Sequence, residues 1–413
     1  MHRLSILVTS SWIPGGVTTW AHEFANQLVD RGHDVTCVFV QMKWPLIRTP
    51  PRFQDVRYKT IWLEPTPPFF LSAIPAFLST FLRAHPIDIV VSTEAEGTAI
   101  SDSKDPRLPT HIAVLHIPEP VYVRRRDLVL SGMRLIRDIV FSPMRWMRPE
   151  PSLTERLVPI YWQWVQYLGR RRLKRAPIVV CVSDAQSQSI QAAWGIRDEK
   201  IRVIYNGIDT KSFSPPSGDL RSKNGRLLFV GGSNPRKGVD VLLDAFVLVA
   251  RRNPSVVLDL VGGWDWSREI ARAKNLGIFQ QVRFHPYIPH YVMPAYYMRS
   301  YALIAPTRGE SFGRVVAEAM ACGVPVISTL RGSVPEVVDN GVSGILVPWR
   351  DVQALAQAIR DLLSNPQVAE DMGKAGRRRV ETYFAWDVII LQWEELFSSV
   401  AAANRRGPDA GGQ

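Results

Sequence analysis

Short, nearly continuous apolar runs alternate along the whole chain with longer stretches in which apolar positions recur every three or four residues. Residues 4–8, 35–40, 87–91, 112–115 and 178–182 form a first set of such runs, and 227–230, 256–261, 302–305, 324–327 and 344–347 form a second. Runs of that length without strict alternation read as strands covered on both faces. The intervening segments are long enough for helices, for instance 237–252, 313–322 and 351–364. Alternating β and α units imply parallel sheets with right-handed crossovers. Two such sets imply an α/β chain of two doubly wound, Rossmann-like domains facing across a cleft.

The best linker is the Pro-, Ser- and polar-rich stretch 214–224, which separates a first domain over 1–213 from a second over 222–384. Ligands of doubly wound sheets bind beyond the carboxyl ends of the strands, so the interdomain cleft is the expected site. Residues 402–413 hold no apolar side chain beyond Ala and are expected to be disordered. A length of 413 residues fits two domains, and 46% hydrophobic with 21% charged residues excludes a chain that is disordered throughout.

Charge changes the picture more than composition does. Fifty Lys and Arg against 38 Asp and Glu leave a net charge of +12, which calls for an anionic partner: nucleic acid, phosphorylated metabolite or acidic membrane surface. Cys37, Cys181 and Cys322 are far apart and have no metal-ligand spacing, which fits a reducing compartment. The N-terminal apolar stretch is too short for an export signal, and the longest uncharged run, 65–82, is interrupted by four prolines. A cytoplasmic chain is expected, able to rest on the inner face of the cell membrane.

Residues 302–326 carry the clearest chemistry: strand, Gly-containing loop, helix, Gly stop, next strand. Glu310 lies in the loop and Glu318 inside the helix. Eight helical positions rise about 12 Å, the length of a sugar diphosphate with its ribose. The two carboxylates therefore reach both ends of one nucleotide-sugar, and the amides of residues 312–315 face the diphosphate between them. The plainer alternative makes Glu310 a helix-start acid and Glu318 a solvated helix residue. Val315, Val316, Ala317, Ala319 and Met320 around Glu318 fit that alternative poorly.

Glu310-Ser-Phe-Gly, four residues, then Glu318-Ala-Met-Ala-Cys-Gly-Val-Pro-Val resembles the E-x7-E signature of glycosyltransferase family 4, retaining enzymes of the GT-B fold. Further elements of that family follow in order: Gly15-Gly16; Leu28 with Arg31-Gly32-His33-Asp34-Val35; Asn206-Gly207-Ile208-Asp209; Gly332-Ser333-Val334-Pro335-Glu336; and Phe384-Ala385-Trp386. The resemblance implies that a last helix, at about 385–400, returns to the first domain. It implies that Glu318 bonds the ribose hydroxyls, that Glu310 meets the transferred sugar, and that Lys237 neutralises the diphosphate. The family's Arg directly after Gly231 is Gly232 here, so Arg236 is expected to supply the second cation. Gly15, Gly16, Ile288, Ser311, Phe312, Gly313 and Val315 complete the implied donor-contacting set. His116, at the end of the strand over 111–115, is implied to line the cleft near donor sugar and acceptor. Without the resemblance it would read as a structural histidine.

The sequence has no Asp-x-Asp and no His/Asp/Glu cluster with metal-ligand spacing, so no cofactor or metal is expected. The implied activity moves a hexosyl unit from a UDP- or GDP-linked sugar to a glycan or lipid-linked acceptor. A nucleotide-sugar epimerase and a non-catalytic glycan- or nucleotide-binding relative of the same fold remain open alternatives. Nucleic acid is not an expected partner, because no binding motif accompanies the charge. The basic excess concentrates in residues 117–175, which hold 13 Lys and Arg against five Asp and Glu. There Leu128, Leu135 and Ile139 share one helical face and Arg126, Arg134 and Arg137 the other, and Tyr161, Trp162, Trp164 and Tyr167 precede five cations within 170–175. Such a mixture suits an anionic lipid surface; a solvated basic face is the alternative.

Overall fold

The computed structural model of the chain describes residues 3–11, 16–40, 53, 55–63, 77, 78, 80–93, 109–116, 173–216, 225–262 and 265–406. The first domain contains β1 (Ser5–Ser11), α1 (Gly16–Asp30), β2 (Asp34–Val40), β3 (Lys59–Leu63), β4 (Ile89–Thr93), β5 (Thr110–Leu115), β6 (Ile178–Cys181), α2 (Asp184–Trp194) and β7 (Ile201–Val203). The second contains β8 (Arg226–Val230), α3 (Val239–Ala250), β9 (Val257–Val261), α4 (Ser267–Asn275), β10 (Val282–His285), α5 (Met293–Met298), β11 (Ala302–Ala305), α6 (Arg314–Ala321), β12 (Val326–Thr329), α7 (Val334–Val337), β13 (Ile345–Val347), α8 (Val352–Ser364) and α9 (Pro366–Tyr383). Helix α10 (Trp386–Arg406) closes the chain.

Both sheets are parallel throughout, in the orders β3-β2-β1-β4-β5-β6-β7 and β10-β9-β8-β11-β12-β13. In each, the strand order reverses beside the first strand, and the crevice at such a switch point is where doubly wound folds bind ligands. The ten strands expected from apolar runs are present. The three not expected are β3, β7 and β10, each at an edge of its sheet. Edge strands are covered less completely, so Lys59, Arg202 and Arg283 interrupt their apolar pattern.

The last segment binds the halves together. Phe384 and Trp386 exchange backbone hydrogen bonds with Ile208, at 2.8 and 3.1 Å. Helix α10 then lays Trp393 against Trp20 and Phe24 of α1, with ring centroids 6.0 and 4.8 Å apart. One apolar cluster therefore runs from Ile6, Trp20 and Phe24 through Trp386 and Phe397 to Phe312 and Val316 of the second domain. A polar latch adds to it: Glu336 accepts from the amides of Asp184 and Ala185, both at 2.8 Å, and from the Tyr205 hydroxyl at 3.0 Å. An acid from the second domain thus sits at the positive end of α2 in the first.

Two expectations meet the structure differently. The tail expected to be disordered from 402 is helical through Arg406: Ala401–Ala403 are strong helix formers, and Thr110 Oγ1 donates to Asn404 Oδ1 at 2.9 Å. Residues 407–413, the linker portion 217–224 and nearly all of the basic segment 117–175 lie outside the described residues. Among the described residues no helix is long and apolar enough to cross a membrane.

Gly207 faces the crossing directly. A Cβ there would lie 2.1 Å from the Trp386 ring, so only glycine lets the two backbones meet. Gly207→Ala should destabilise the protein by at least about 1–3 kcal/mol, read as a lower urea midpoint at constant slope. An unchanged midpoint would show that the crossing is loosely packed.

Candidate functional site

Lys237 and Glu310 follow β8 and β11, the two strands that flank the switch point of the second sheet. They meet there: Lys237 Nζ donates to both Glu310 oxygens, at 2.8 and 3.0 Å. Arg236 Nη2 donates to the carbonyl of Gly309 at 3.1 Å. The residues assigned to sugar and to diphosphate are thus paired with one another.

Beyond Glu310 the loop turns into α6. Phe312 is buried, its ring 5.4 Å from that of Phe384 and 6.0 Å from that of Tyr205, so it offers a ligand only its backbone. Gly313 is the left-handed N-cap of α6 and supplies no side-chain cap. The amides of Arg314 and Val315 are consequently open to an external anion, while that of Val316 donates to the Gly313 carbonyl. Ser311 and Val315 flank this turn, half-buried.

In the second turn, Glu318 is 4% exposed, which rules out the solvated-face reading. Its oxygens accept from His290 Nε2 and from the Tyr297 hydroxyl, both at 2.9 Å. Burial pushes the Glu318 carboxyl toward protonation, but His290, Arg314 and Tyr297 outweigh it and hold the pKa below the ordinary value. Burial likewise disfavours charge on His290, yet Glu318 and Glu23 raise its pKa above that of a free imidazole.

Arg314, inside the signature's variable positions, connects this acid to the first domain. Its Nη2 donates to the two oxygens of Glu23 on α1, at 2.9 and 3.1 Å, and lies 3.4 Å from Glu318. Trp386 Nε1 donates to Glu23 at 2.9 Å. Sequence reasoning missed Glu23, Arg314, His290 and Tyr297. A signal existed for Glu23, which sits among Ala21, Phe24 and Ala25 as Glu318 does among its apolar neighbours, and for Arg314, four residues before Glu318. His290 and Tyr297 follow no spacing that sets them apart.

The remaining expected residues gather around Arg314 or apart from it. Gly16 opens α1, and a Cβ on it would come within 3.3 Å of Arg314 Cδ. His116 is buried 4.9 Å from the Trp20 ring, and its Nε2 has no hydrogen-bond partner among the described residues. Burial first, and the Arg314 charge second, lower its pKa to about 3, so the ring is neutral near pH 7. Ile288 is half-buried against the apolar cluster that contains Phe213 and Tyr297. Gly15 lies outside the described residues.

This arrangement has known counterparts. Residues 14–212 match the family described as Glycosyltransferase Family 4, and residues 211–379 match Glycosyl transferases group 1. A GDP-mannose-dependent alpha-(1-6)-phosphatidylinositol monomannoside mannosyltransferase of Mycolicibacterium smegmatis is 29% identical over 363 residues, which cover 79% of this chain and 94% of that one. A D-inositol 3-phosphate glycosyltransferase of Streptomyces avermitilis is 31% identical over 50% of this chain and 48% of its own length. Among solved structures, sucrose-phosphate synthase from Thermosynechococcus elongatus superposes with a TM-score of 0.75 over 97% of this chain and all of that one, at 22% identity. Anabaena HepE in complex with UDP-glucose superposes at 0.71, over 96% and 100%, at 20% identity. At these identities the structural likeness establishes the fold alone. With two facing parallel sheets, the two acids eight residues apart and both family matches end to end along it, the chain belongs to the GT4-type glycosyltransferases of the GT-B fold.

Proposed function

We propose that this glycosyltransferase is a retaining, metal-independent hexosyltransferase, taking its sugar from a UDP- or GDP-linked donor and giving it to a glycan or lipid-linked acceptor at the cytoplasmic face of a membrane. One observation carries the donor reading. Lys237 reaches across from a neighbouring loop to Glu310, and an uncapped helix N-terminus and a buried, ionised Glu318 follow Glu310 along one loop and one helix. The relatives support a nucleotide-sugar, since one is named for GDP-mannose and a structural neighbour holds UDP-glucose.

In this reading a ribose hydroxyl donates to the lone pair of Glu318 that His290, Tyr297 and Arg314 leave free; a carboxylate has about four. The diphosphate meets Lys237, Arg236 and the first-turn amides of α6. Its negative charge competes with Glu310 for Lys237, and the released Glu310 accepts from hydroxyls of the sugar. The bond from the anomeric carbon to the diphosphate oxygen breaks, and the bond to the acceptor oxygen forms on the same face. The departing diphosphate oxygen takes the acceptor proton. Fixed cations and amides stabilise the charge that grows there, the term that usually dominates such sites. The unpaired Nε2 of neutral His116 supplies a hydrogen bond to the sugar or the acceptor hydroxyl. The membrane part rests on the cations of residues 117–175 and on the lipid acceptor in the name of the mycobacterial relative.

Turnover of a panel of UDP- and GDP-sugars in EDTA tests the whole reading. Transfer from one nucleotide class with the anomeric configuration kept is the expected result; loss on chelation refutes metal independence, and an inverted product refutes retention. Glu318→Ala should weaken donor binding by about 1.5–3 kcal/mol, the cost of charged hydrogen bonds lost. Unchanged donor affinity in the folded variant would remove Glu318 from the ribose. Lys237→Ala should lower kcat more than donor affinity, because the charge it meets grows as the bond breaks. Equal losses in both would make it a ground-state contact. Vesicle cosedimentation should require anionic lipid, decline with salt and drop when Arg170, Arg171 and Arg172 become Ser, since each cation near such a surface contributes about 1 kcal/mol. Binding that ignores salt, or none, would reduce the segment to a solvated basic face.

A further inference from the structure

Beside the Lys237–Glu310 pair, toward the β13 edge of the second sheet, lies a cavity of about 400 Å3 lined by Pro235, Arg236, Arg308, Arg331, Trp349 and Arg350. That volume is within the ~300–1,000 Å3 typical of small-molecule sites. Four loops build it, each at the carboxyl end of a strand: those after β8, β11, β12 and β13. They are stitched to one another. The amide of Arg308 and the Thr307 hydroxyl both donate to the Arg236 carbonyl, at 2.8 and 3.2 Å, and the amide of Leu330 donates to the Val347 carbonyl at 3.0 Å. Gly238 lets them close up: a Cβ there would lie 2.0 Å from the Pro306 oxygen and 3.0 Å from the Trp349 ring.

Among the described residues, four guanidinium groups and no carboxylate line this cavity. Among the described residues, Arg236, Arg331 and Arg350 form no ion pair, and the nearby acids are engaged elsewhere: Glu310 with Lys237, Asp351 with the amide of Ala354. These three like charges repel one another, so their arrangement is stabilised when an anion enters. Arg350 is also the one non-glycine residue of the described chain with positive φ, 64°, a conformation that tends to persist where a ligand is clamped. Its guanidinium stands 5.8 Å from the Trp349 ring. That half-buried indole and Pro235 give the cavity an apolar wall beside its cationic one.

We propose that this cavity is an oxyanion subsite for a sugar carrying a phosphate or a carboxylate. The planar, forked guanidinium groups match either oxyanion through paired charge-assisted hydrogen bonds, and the indole covers an apolar face of the pyranose. Binding is a property of the cavity itself. That the bound sugar is a substrate, held one residue from Glu310 by way of the Arg236–Gly309 contact, rests on the transferase reading above.

Calorimetric titration of the full chain with glucose 6-phosphate, glucuronate and glucose, at low and high salt, tests it. At least one of the two anionic sugars should bind and neutral glucose should not, with affinity falling as salt rises. A stronger response to glucose 6-phosphate identifies the anion as phosphate, and the reverse as carboxylate. The double variant Arg331→Gln, Arg350→Gln changes two exposed side chains and should lose roughly tenfold or more in that affinity, the equivalent of one or two charged hydrogen bonds. UDP and GDP affinity should stay at the level of the unmodified chain. An unchanged affinity for the anionic sugar in the variant, equal binding of glucose, or no binding of either anionic sugar overturns the proposal. So does a parallel loss of UDP or GDP affinity, which would place these arginines on the donor diphosphate. Failure of the unmodified chain to bind any nucleotide would count against the transferase reading alone, since the sugar titrations are read without nucleotide.

Discussion

A single guanidinium, that of Arg314, holds the two domains and the buried acid Glu318 in one arrangement. It lies in the interface, 10% exposed, between Glu23 of α1 and Glu318 of its own helix. Removing a charge of this kind from water costs several kcal/mol, recovered only where partners are well placed. Here they are: burial opposes ionisation, and the two carboxylates more than compensate, so the Arg314 pKa sits above its ordinary value. Loss of Arg314 would leave Glu23 and Glu318 buried without their shared guanidinium, at a cost of about 3–5 kcal/mol. Glu23 also takes the indole hydrogen bond of Trp386, and Glu318 those of His290 and Tyr297. Four separate parts of the chain are thus committed to one charge.

The site's other pair has a different character. Lys237 and Glu310 are 28% and 16% exposed, so they bond to each other at modest desolvation cost. An anion arriving at the α6 N-terminus finds a cation that can be redirected rather than one locked in place. The buried network fixes geometry, while the outer pair adapts, and one helix joins them.

Much of this was legible in the chain itself. Parallel strands buried on both faces leave continuous apolar runs, so the doubly wound sheets could be read directly, and the two acids stood out because Glu318 lies among apolar neighbours. Edge strands β3, β7 and β10 escaped because one side of each is uncovered and polar residues break the run. Arg314 and Glu23 are 291 positions apart, and the local signal each carries names no partner until the domains are brought together. The same holds for Arg308, Arg331 and Arg350, which are unremarkable singly and form a cavity only because consecutive crossovers bring their loops to the same end of the sheet. Residues 402–406 turned out helical for another reason: alanine reads as weakly apolar, yet it is the best helix former.

The path of α10 has a consequence for how the protein is made. Trp20 and Phe24 are synthesised long before their cover, Trp386, Trp393 and Phe397, with the whole second domain between them. Domains ordinarily fold in turn as they leave the ribosome. This first domain cannot complete its core in that way, because its missing helix is still unmade while the second domain emerges. Until α10 is made an aromatic face stays open to solvent or to chaperones, and both halves of the enzyme are finished by the same closing step.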